Sequence, residues 1–374
     1  MSGAKSGKSA APKRKVVSLA LQGGGALGAY TWGVLDRLLE EEDLEIAAIS
    51  GTSAGAMNAV ALAHGLHQGG REGAKAKLRA FWEGVARTGF DSAYRRTPMM
   101  AFMNAFTPEW AKAAGSPWAM WADLASRVMS PYDLNPLNIN PLKDVLNELI
   151  DFEHVRACDH TKLYISATNV ETGRIRVFTN TELTADHVMA SACLPLVFQA
   201  VVIDGSPYWD GGYMGNPALF PLFDVAETRD IMIVQINPIE RKGAPRAAPE
   251  IIARVNEITF NSSLLRELRA IEFVARLVDQ SRLPEGHYRK MLIHVVNHAQ
   301  ALRPLGLGVD LNTDLNFFHD LHKTGRRSAA SWLRRNYDAL GERSTIDLRA
   351  MFAGETDAAG SPAAPQLEEG PKDA

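Results

Sequence analysis

The chain has 374 residues, of which 46% are apolar and 22% charged, as in an ordinary globular protein with a sizeable core. A formal net charge of −3 gives no sign of nucleic-acid binding, and only two cysteines, Cys158 and Cys193, argue against a disulfide framework. The sequence contains no run of about 18 apolar residues, so it does not predict a transmembrane helix. We therefore expect a cytoplasmic protein in a reducing compartment.

The N-terminal residues 1–14 contain lysines and an arginine but no acidic residue, and they predict a disordered basic arm. The apolar stretch 16–21 that follows is too short for the core of a signal peptide, so we interpret it as the first strand. The charges of the arm are expected to be solvated, with contact to anionic lipid as the alternative.

A glycine-rich loop, Gln-Gly-Gly-Gly-Ala-Leu-Gly at 22–28, separates this strand from a helix predicted over 27–42. Bare glycine N–H groups can approach a ligand closely, as in the oxyanion hole of an acyl-transfer enzyme. The same spacing satisfies G-x-G-x-x-G for a dinucleotide, but that fold needs an acidic residue after the second strand, where this chain has Ser50-Gly51. Tight packing alone is a third interpretation. The candidate oxyanion glycines are Gly23, Gly24, Gly25 and Gly28.

The second strand, predicted over 45–50, leads into Gly51-Thr52-Ser53-Ala54-Gly55 and a helix over 54–66. This is G-x-S-x-G in strand–turn–helix context, the pattern of a nucleophile elbow. Ser53 is the candidate nucleophile, Gly51 and Gly55 leave room for the turn, and the Ala54 N–H is a further oxyanion donor. The plain alternative is a turn that happens to contain a small residue.

The window 98–129, after a helix predicted over 75–87, holds five of the 12 methionines and three of the seven tryptophans. Such a composition fits a lid or acyl-chain groove over Ser53, and it fits equally a helical subdomain packed on the core. Alternation of the remaining elements predicts an α/β fold with three layers: a mostly parallel central sheet with helices on both faces. The further strands are expected at 163–169, 174–178, 200–203, 231–236 and 290–296, and the further helices at 141–149, 249–282 (with an internal break) and 326–340.

A carboxylate followed by two glycines, Asp210-Gly211-Gly212, comes after the short apolar stretch 201–203. By itself this is most simply an Asp-Gly turn between strands. An aspartate can also act as the base for a serine hydroxyl if it reaches that hydroxyl. Histidine is the usual base, and His294, inside a predicted strand, is the alternative partner for Ser53.

The three motifs, in this order, resemble the patatin-like phospholipase family. The loop Gly23–Gly28 matches its oxyanion motif, Gly51–Gly55 its elbow, and Asp210-Gly211-Gly212 its aspartate motif. The stretch 191–198 and Asn216-Pro217 extend the similarity, which runs from about residue 15 to about 240. One departure is Leu27, where many members carry a basic residue.

The resemblance implies a patatin-like fold and a Ser53–Asp210 dyad that cleaves lipid esters, phospholipid or acylglycerol, without a metal or cofactor. It also implies peripheral contact with a membrane or lipid-granule surface. The alternatives are an intracellular polyester depolymerase, and a lipid-binding regulatory protein with an idle site. We expect one domain over 15–350, helical from 249, and a disordered tail at 354–374. The oligomeric state is left open.

Overall fold

The computed structural model describes residues 14–88, 130–283, 288–297 and 312–357. The predicted basic arm up to Lys13 and the Met- and aromatic-rich window at 98–129 lie outside the described residues. The last part of the predicted tail, 358–374, does so as well.

The strands of the described segments form one eight-stranded sheet in the order β5-β6-β3-β2-β1-β7-β8, with β4 paired to β3. The pairs β1–β2, β2–β3, β1–β7 and β7–β8 are parallel, whereas β4, β5 and β6 are joined by antiparallel pairing. The sheet is therefore mixed but mostly parallel, as predicted. The strands are β1 Lys15–Leu21, β2 Leu44–Gly51, β3 Lys162–Asn169, β4 Ile175–Thr179, β5 Val201–Ile203, β6 Ser206–Asp210, β7 Asp230–Val234 and β8 Leu292–Val296.

Strand β3 has two partners along the same edge. Its first half pairs with β2, where Gly51 is opposite Ile165, and beyond the end of β2 it pairs with β6, where Asp210 is opposite Ala167. The other edge of β3 is occupied by β4, because Ile165 is also opposite Phe178. Strands β2 and β6 thus pair with the same edge of β3, one after the other. This places the end of β6 beside the end of β2.

The helices surround this sheet, and α2 is kinked at Gly69 and Gly70, whose backbone angles are not helical. The kink separates the two helices predicted over 54–66 and 75–87. No helix in the described parts of the chain combines the length and the apolar character needed to cross a bilayer. The helices are α1 Gly28–Leu38, α2 Ala54–Arg87, α3 Pro131–Leu134, α4 Pro141–Leu149, α5 Phe152–Arg156, α6 Ala185–Ser191, α7 Ala248–Asp279, α8 Leu315–Asn336 and α9 Leu348–Asp357.

Both faces of the sheet are covered, as alternate side chains of β1 show. Leu19 and Leu21 belong to a buried cluster with residues of α1, α2 and α8, whereas Ala20 belongs to a second cluster with Leu264 and Leu268 of α7. Because successive side chains of a strand point to opposite faces, the two clusters lie on opposite sides of the sheet. The fold is the predicted three-layer α/β arrangement.

The sequence prediction missed β6 and the short helices α3, α5 and α6. Strand β6 contains Pro207. Proline argues against a strand because it lacks the N–H group that donates a hydrogen bond to a neighbouring strand. It is tolerated because the Pro207 carbonyl still accepts a hydrogen bond from the Val170 N–H at 2.9 Å. Helices of four, five and seven residues are too short for a helical period to be read from the sequence.

Helices α7, α8 and α9 also differ from the prediction. Helix α8 begins at Leu315 rather than at 326, because the Asp314 carboxylate accepts a hydrogen bond from the Phe317 N–H at 2.7 Å and caps its first turn. Helix α7 runs without the predicted internal break. Helix α9 continues to Asp357, so the segment predicted to be disordered from Gly354 is partly helical.

Helix α1, which starts at the glycine-rich loop, packs against α8 through two glycines. A Cβ on Gly33 would lie 2.0 Å from the His322 carbonyl oxygen, and one on Gly325 would lie 2.1 Å from the Tyr30 carbonyl oxygen. These are contacts with backbone, which a change of side-chain rotamer cannot relieve. The two helices can approach this closely only because both positions are glycine.

We therefore expect Gly325→Ala to lower the free energy of unfolding by ~2 kcal/mol, the scale of overpacking a tight contact. The better helix propensity of alanine, worth ~1 kcal/mol, acts in the opposite direction but does not remove the overlap. Gly69→Ala is the matched control, because no atom lies within 4 Å of a Cβ there. Urea denaturation measures both variants, and equal stability of the two would contradict this account of the contact.

Candidate active site

Ser53 lies at the turn between β2 and α2, with φ 54° and ψ −122°. A positive φ is uncommon for a residue with a side chain and costs ~1–3 kcal/mol. The flanking glycines make the turn sterically allowed, since a Cβ on Gly55 would lie 2.2 Å from the Leu21 carbonyl oxygen, and one on Gly51 would lie 2.8 Å from that of Gly55. The strand–turn–helix geometry predicted from G-x-S-x-G is present, with Ser53 only 8% exposed.

The glycine-rich loop passes directly against Ser53. A Cβ on Gly23 would lie 2.6 Å from the Ser53 Cβ and 2.7 Å from the Thr52 carbonyl oxygen, so no larger residue fits. Gly25 has φ 53°, the left-handed region that favours glycine. Since β1 and β2 are parallel, both turns leave the same edge of the sheet. This closeness to the serine favours the oxyanion interpretation of the loop over the dinucleotide one.

The N–H groups of the loop fall into two sets. The Gly23 N–H donates to Asn216 Oδ1 at 2.6 Å, and the Gly28 N–H donates to the Gly25 carbonyl within the first turn of the helix. These two N–H groups are engaged, so Gly23 and Gly28 shape the loop and are not the free donors that the motif suggested. The hydrogen bonds among the described residues leave the N–H groups of Gly24, Gly25 and Ala54 without an acceptor.

Asp210, the last residue of β6, is fully buried beside the elbow. Its N–H donates to the Cys193 carbonyl at 2.8 Å, and its Oδ1 accepts a hydrogen bond from the Gly212 N–H at 2.7 Å. Its Oδ2 is buried and accepts no well-formed hydrogen bond within the described part of the chain. The Ser53 hydroxyl is close enough to this carboxyl group to interact with it, and this interaction lowers the pKa of Asp210.

Burial raises the pKa of Asp210 to about 7, and the hydrogen bonds from the Gly212 N–H and the Ser53 hydroxyl oppose this rise. Burial dominates because a buried carboxylate loses its hydration, and no cation among the described residues offsets that loss. A carboxylate with a pKa near neutrality is a much stronger base than an exposed one. It can therefore accept a proton from a serine hydroxyl at neutral pH.

Both glycines of the aspartate motif are required by close packing. A Cβ on Gly211 would lie 2.1 Å from the Ser166 carbonyl oxygen of β3, and one on Gly212 would lie 2.0 Å from the ring of Phe260 in α7. The motif thus packs tightly between the sheet and α7. This packing keeps the backbone after Asp210 in the position from which the Gly212 N–H reaches Oδ1.

Other residues of the site could not be identified from the sequence alone. Ser191 Oγ accepts a hydrogen bond from the Ser53 N–H at 2.9 Å, so the stretch that also supplies the Cys193 carbonyl holds both Ser53 and Asp210. The side-chain amides of Asn216 and Asn237 bind Gly23 of the glycine-rich loop, and the side-chain amide of Gln22 donates to the Asn216 carbonyl. For Ser191 and Asn216 the only signal was the family resemblance, and for Gln22 and Asn237 there was none.

His294 is not placed to act on Ser53. It lies in β8, three strand spacings from β2, or about 14 Å. Its Nε2 is 2.8 Å from Asp230 Oδ1 and its Nδ1 is 3.3 Å from the Thr345 hydroxyl, so both ring nitrogens have partners. His294 is therefore a buried structural residue that ties β8 to β7 and to the segment before α9.

Two further observations concern charge at the site. Leu27, where the resemblance led us to expect a basic residue, is partly buried against the hydrophobic core at the start of α1. Across the described ranges, no group of three or more histidine, cysteine, aspartate or glutamate side chains is arranged to hold a metal ion.

Two solved structures are similar to the chain at low identity. VipD from Legionella pneumophila is 16% identical, with 85% of this chain and 68% of VipD covered and a TM-score of 0.36. A chain of the ExoU–SpcU complex from the type III secretion system of Pseudomonas aeruginosa is 18% identical, with 94% and 65% covered and a TM-score of 0.22. We draw no functional conclusion from similarities this weak.

No protein of curated function matches the sequence significantly. The family model described as "Patatin-like phospholipase" matches residues 19–223, more than half of the chain. The matched region contains the glycine-rich loop, Ser53 and Asp210. The chain therefore belongs to the patatin-like phospholipase family.

Proposed function

We propose that this protein is a serine acyl hydrolase that cleaves lipid esters, with Ser53 as the nucleophile and Asp210 as its base. The observation that carries the proposal is the contact between a serine held at positive φ and a fully buried carboxylate with a pKa of about 7. Membership of the family supports lipid acyl hydrolysis in general. The dyad and the choice of substrate go beyond what membership supports.

In the first half of the reaction, Ser53 Oγ forms a bond to the acyl carbonyl carbon while its proton passes to Asp210. The carbonyl electron pair moves onto oxygen, and this oxyanion accepts hydrogen bonds from the N–H groups of Gly24, Gly25 and Ala54. The positive end of the α2 dipole lies at the same point and favours the negative charge. The intermediate then collapses, and the leaving alcohol takes the proton from Asp210.

In the second half, a water molecule gives a proton to Asp210 and attacks the acyl carbon bound to Ser53. The same three N–H groups stabilise the second oxyanion. Collapse of this intermediate breaks the bond to Ser53 Oγ, which recovers its proton from Asp210, and the carboxylic acid is released. Asp210 thus carries the proton in each direction once per half-reaction and ends the cycle unchanged.

The substrate class that we infer is a phospholipid or an acylglycerol, with the protein in peripheral contact with the lipid surface. Hydrolysis of a panel of phospholipids, acylglycerols and a polyester granule by purified protein, with product identification, tests this choice. Release of fatty acid from a lipid supports it, and activity on the polyester alone would favour the depolymerase instead. Failure of a fluorophosphonate to label Ser53 would indicate an idle site, because only an activated serine reacts.

Ser53→Ala should abolish both ester hydrolysis and fluorophosphonate labelling while the protein stays folded, since alanine removes only the hydroxyl. Turnover with a short-chain p-nitrophenyl ester and intact-protein mass spectrometry after labelling measure the two effects. Circular dichroism confirms the fold of the variant. A folded Ser53→Ala with the wild-type rate would rule out the serine mechanism.

Gly25→Ala should lower kcat by about 10²-fold or more, as loss of an oxyanion donor does elsewhere. The added methyl group strains a backbone at φ 53° and reorients its N–H. Gly173→Ala is the matched control, because Gly173 also has a positive φ of 65° but lies in the turn between β3 and β4. If both variants lose the same fraction of kcat, the loop has no special role in catalysis.

The pH profile of kcat/KM should report the titration of Asp210. The ionised form is the base, so the rate should fall about tenfold per pH unit as the pH drops below about 7. Asp210→Asn should be inactive at every pH, whereas His294→Ala should keep the profile per folded molecule. A profile that is flat from pH 8 to pH 5 would argue against Asp210 as the base.

A stability measurement checks the same assignment independently of turnover. Because burial raises the pKa of Asp210 above its value in the unfolded chain, ionisation opposes folding with full effect above about pH 7, and this penalty shrinks progressively as the pH falls from about 7 to about 4. Asp210→Asn should therefore raise Tm relative to the wild type more at pH 8.5 than at pH 5.5. A difference that is independent of pH would contradict the raised pKa.

A further inference from the structure

We propose that Asn216 is a positioning residue for the oxyanion loop. Its side-chain amide fixes Gly23 and thereby holds the Gly24 N–H ready for a developing oxyanion. This inference rests on the proposed function, because only acyl transfer makes an oxyanion at this loop. It concerns a residue that lies six positions after Asp210 and takes no direct part in the steps above.

Asn216 contacts Gly23 on both of its backbone polar groups. Its Oδ1 accepts a hydrogen bond from the Gly23 N–H at 2.6 Å, and its Nδ2 is 3.4 Å from the Gly23 carbonyl oxygen. The Nδ2 of Asn237 donates to the same carbonyl at 2.7 Å. Two side-chain amides thus fix the direction of the Gly23 carbonyl.

The direction of this carbonyl also sets the direction of a candidate donor. The Gly23 carbonyl and the Gly24 N–H belong to one peptide group, which is planar and places them on opposite sides. When the carbonyl points to Asn216 and Asn237, the Gly24 N–H must point away from them. The amides therefore orient a group that they do not touch.

Such support matters because the loop consists of consecutive glycines. Glycine has the widest conformational freedom of any residue, so an unsupported loop would populate many orientations of its N–H groups. Oxyanion donors accelerate a reaction when they are already oriented before charge develops, since the cost of ordering them is then met during folding. A hydrogen-bonded clamp on Gly23 supplies this order.

Asn216 is itself held firmly, and its neighbours are tied to the nucleophile. It is fully buried, its N–H donates to the Ser263 hydroxyl at 3.3 Å, and its carbonyl accepts a hydrogen bond from the Gln22 side chain at 3.2 Å. The Thr52 hydroxyl, next to Ser53, donates to the Gly215 carbonyl at 2.7 Å. One segment therefore connects the oxyanion loop with the elbow.

The test measures Asn216→Ala with a short-chain p-nitrophenyl ester, in the wild type and in the Gly25→Ala background. In the wild type we expect kcat to fall by ~10- to 100-fold with KM changed by less than about threefold, because the loss falls on the transition state. In the Gly25→Ala background the same change should lower kcat by less than about threefold, because two residues that act through one loop are not additive.

Asn180→Ala is the matched control. Asn180 is also a side-chain amide that clamps backbone, since its Oδ1 accepts from the Leu163 N–H at 2.5 Å and its Nδ2 donates to the Thr161 carbonyl at 3.1 Å. It directly follows β4 and contacts the start of β3, at the opposite end of that strand from Ala167, which pairs with Asp210. Its loss should lower Tm but leave kcat per folded molecule within about twofold of the wild type.

A wild-type kcat in folded Asn216→Ala overturns the positioning role. So does a decrease in kcat by the same factor in the wild type and in the Gly25→Ala background. A decrease in kcat in Asn180→Ala as large as that in Asn216→Ala overturns it as well. If Asn216→Ala does not fold, Asn237→Ala is measured in the same way, because it removes the shorter hydrogen bond to the Gly23 carbonyl. An unchanged kcat there overturns the inference too. A dead Ser53→Ala beside a fully active Asn216→Ala would remove only the positioning role, whereas an active Ser53→Ala would remove the proposed function itself.

Discussion

The left-handed backbone at Ser53 is the constraint on which the rest of the site depends. A side chain at this φ costs ~1–3 kcal/mol, and the turn persists only because surrounding contacts offset that cost. The Ser53 N–H is held by Ser191, and the neighbouring Thr52 hydroxyl is held by the Gly215 carbonyl. Both partners come from distant parts of the chain, so the elbow is complete only when those segments have packed against it.

The same sheet geometry explains why the carboxylate at the site is buried. Strand β2 ends at Gly51, and beyond that point β6 pairs with the same edge of β3. Asp210 at the end of β6 therefore lies beside the elbow. If β2 were two residues longer, it would occupy that edge and exclude β6. Burial at this junction raises the pKa of Asp210, which makes the group a useful base near neutral pH and at the same time opposes folding when it ionises.

The loop that faces Ser53 is supported by neutral groups. At the position where the family resemblance led us to expect a basic side chain, Leu27 packs against the core instead. Hydrogen bonds from Asn216 and Asn237 to Gly23 order the loop without adding charge. In a site whose base is a buried carboxylate, a nearby cation would lower the pKa of that carboxylate and weaken it as a base. Neutral support is therefore consistent with the raised pKa of Asp210.

The sequence by itself determined the elements whose conformation depends on near neighbours. Ser53 with its flanking glycines, the glycine loop, the first two strands and the break in α2 at Gly69 and Gly70 all follow from local steric rules, which act over a few residues. Where local signals conflicted or were weak, as at Pro207 in β6, the prediction failed, because pairing with β3 decides that conformation.

Only the tertiary structure decided which side chains meet Ser53. From its local sequence Asp210 is most simply a turn residue, and His294 was an alternative base, until strand order placed the first beside the elbow and the second three strands away. Ser191 and Asn216 act through hydrogen bonds to backbone far along the chain, and such contacts leave no periodic or local pattern. Strand pairing and burial are properties of the assembled sheet, which is why the motifs indicated the chemistry while the partners and the pKa of the base required the fold.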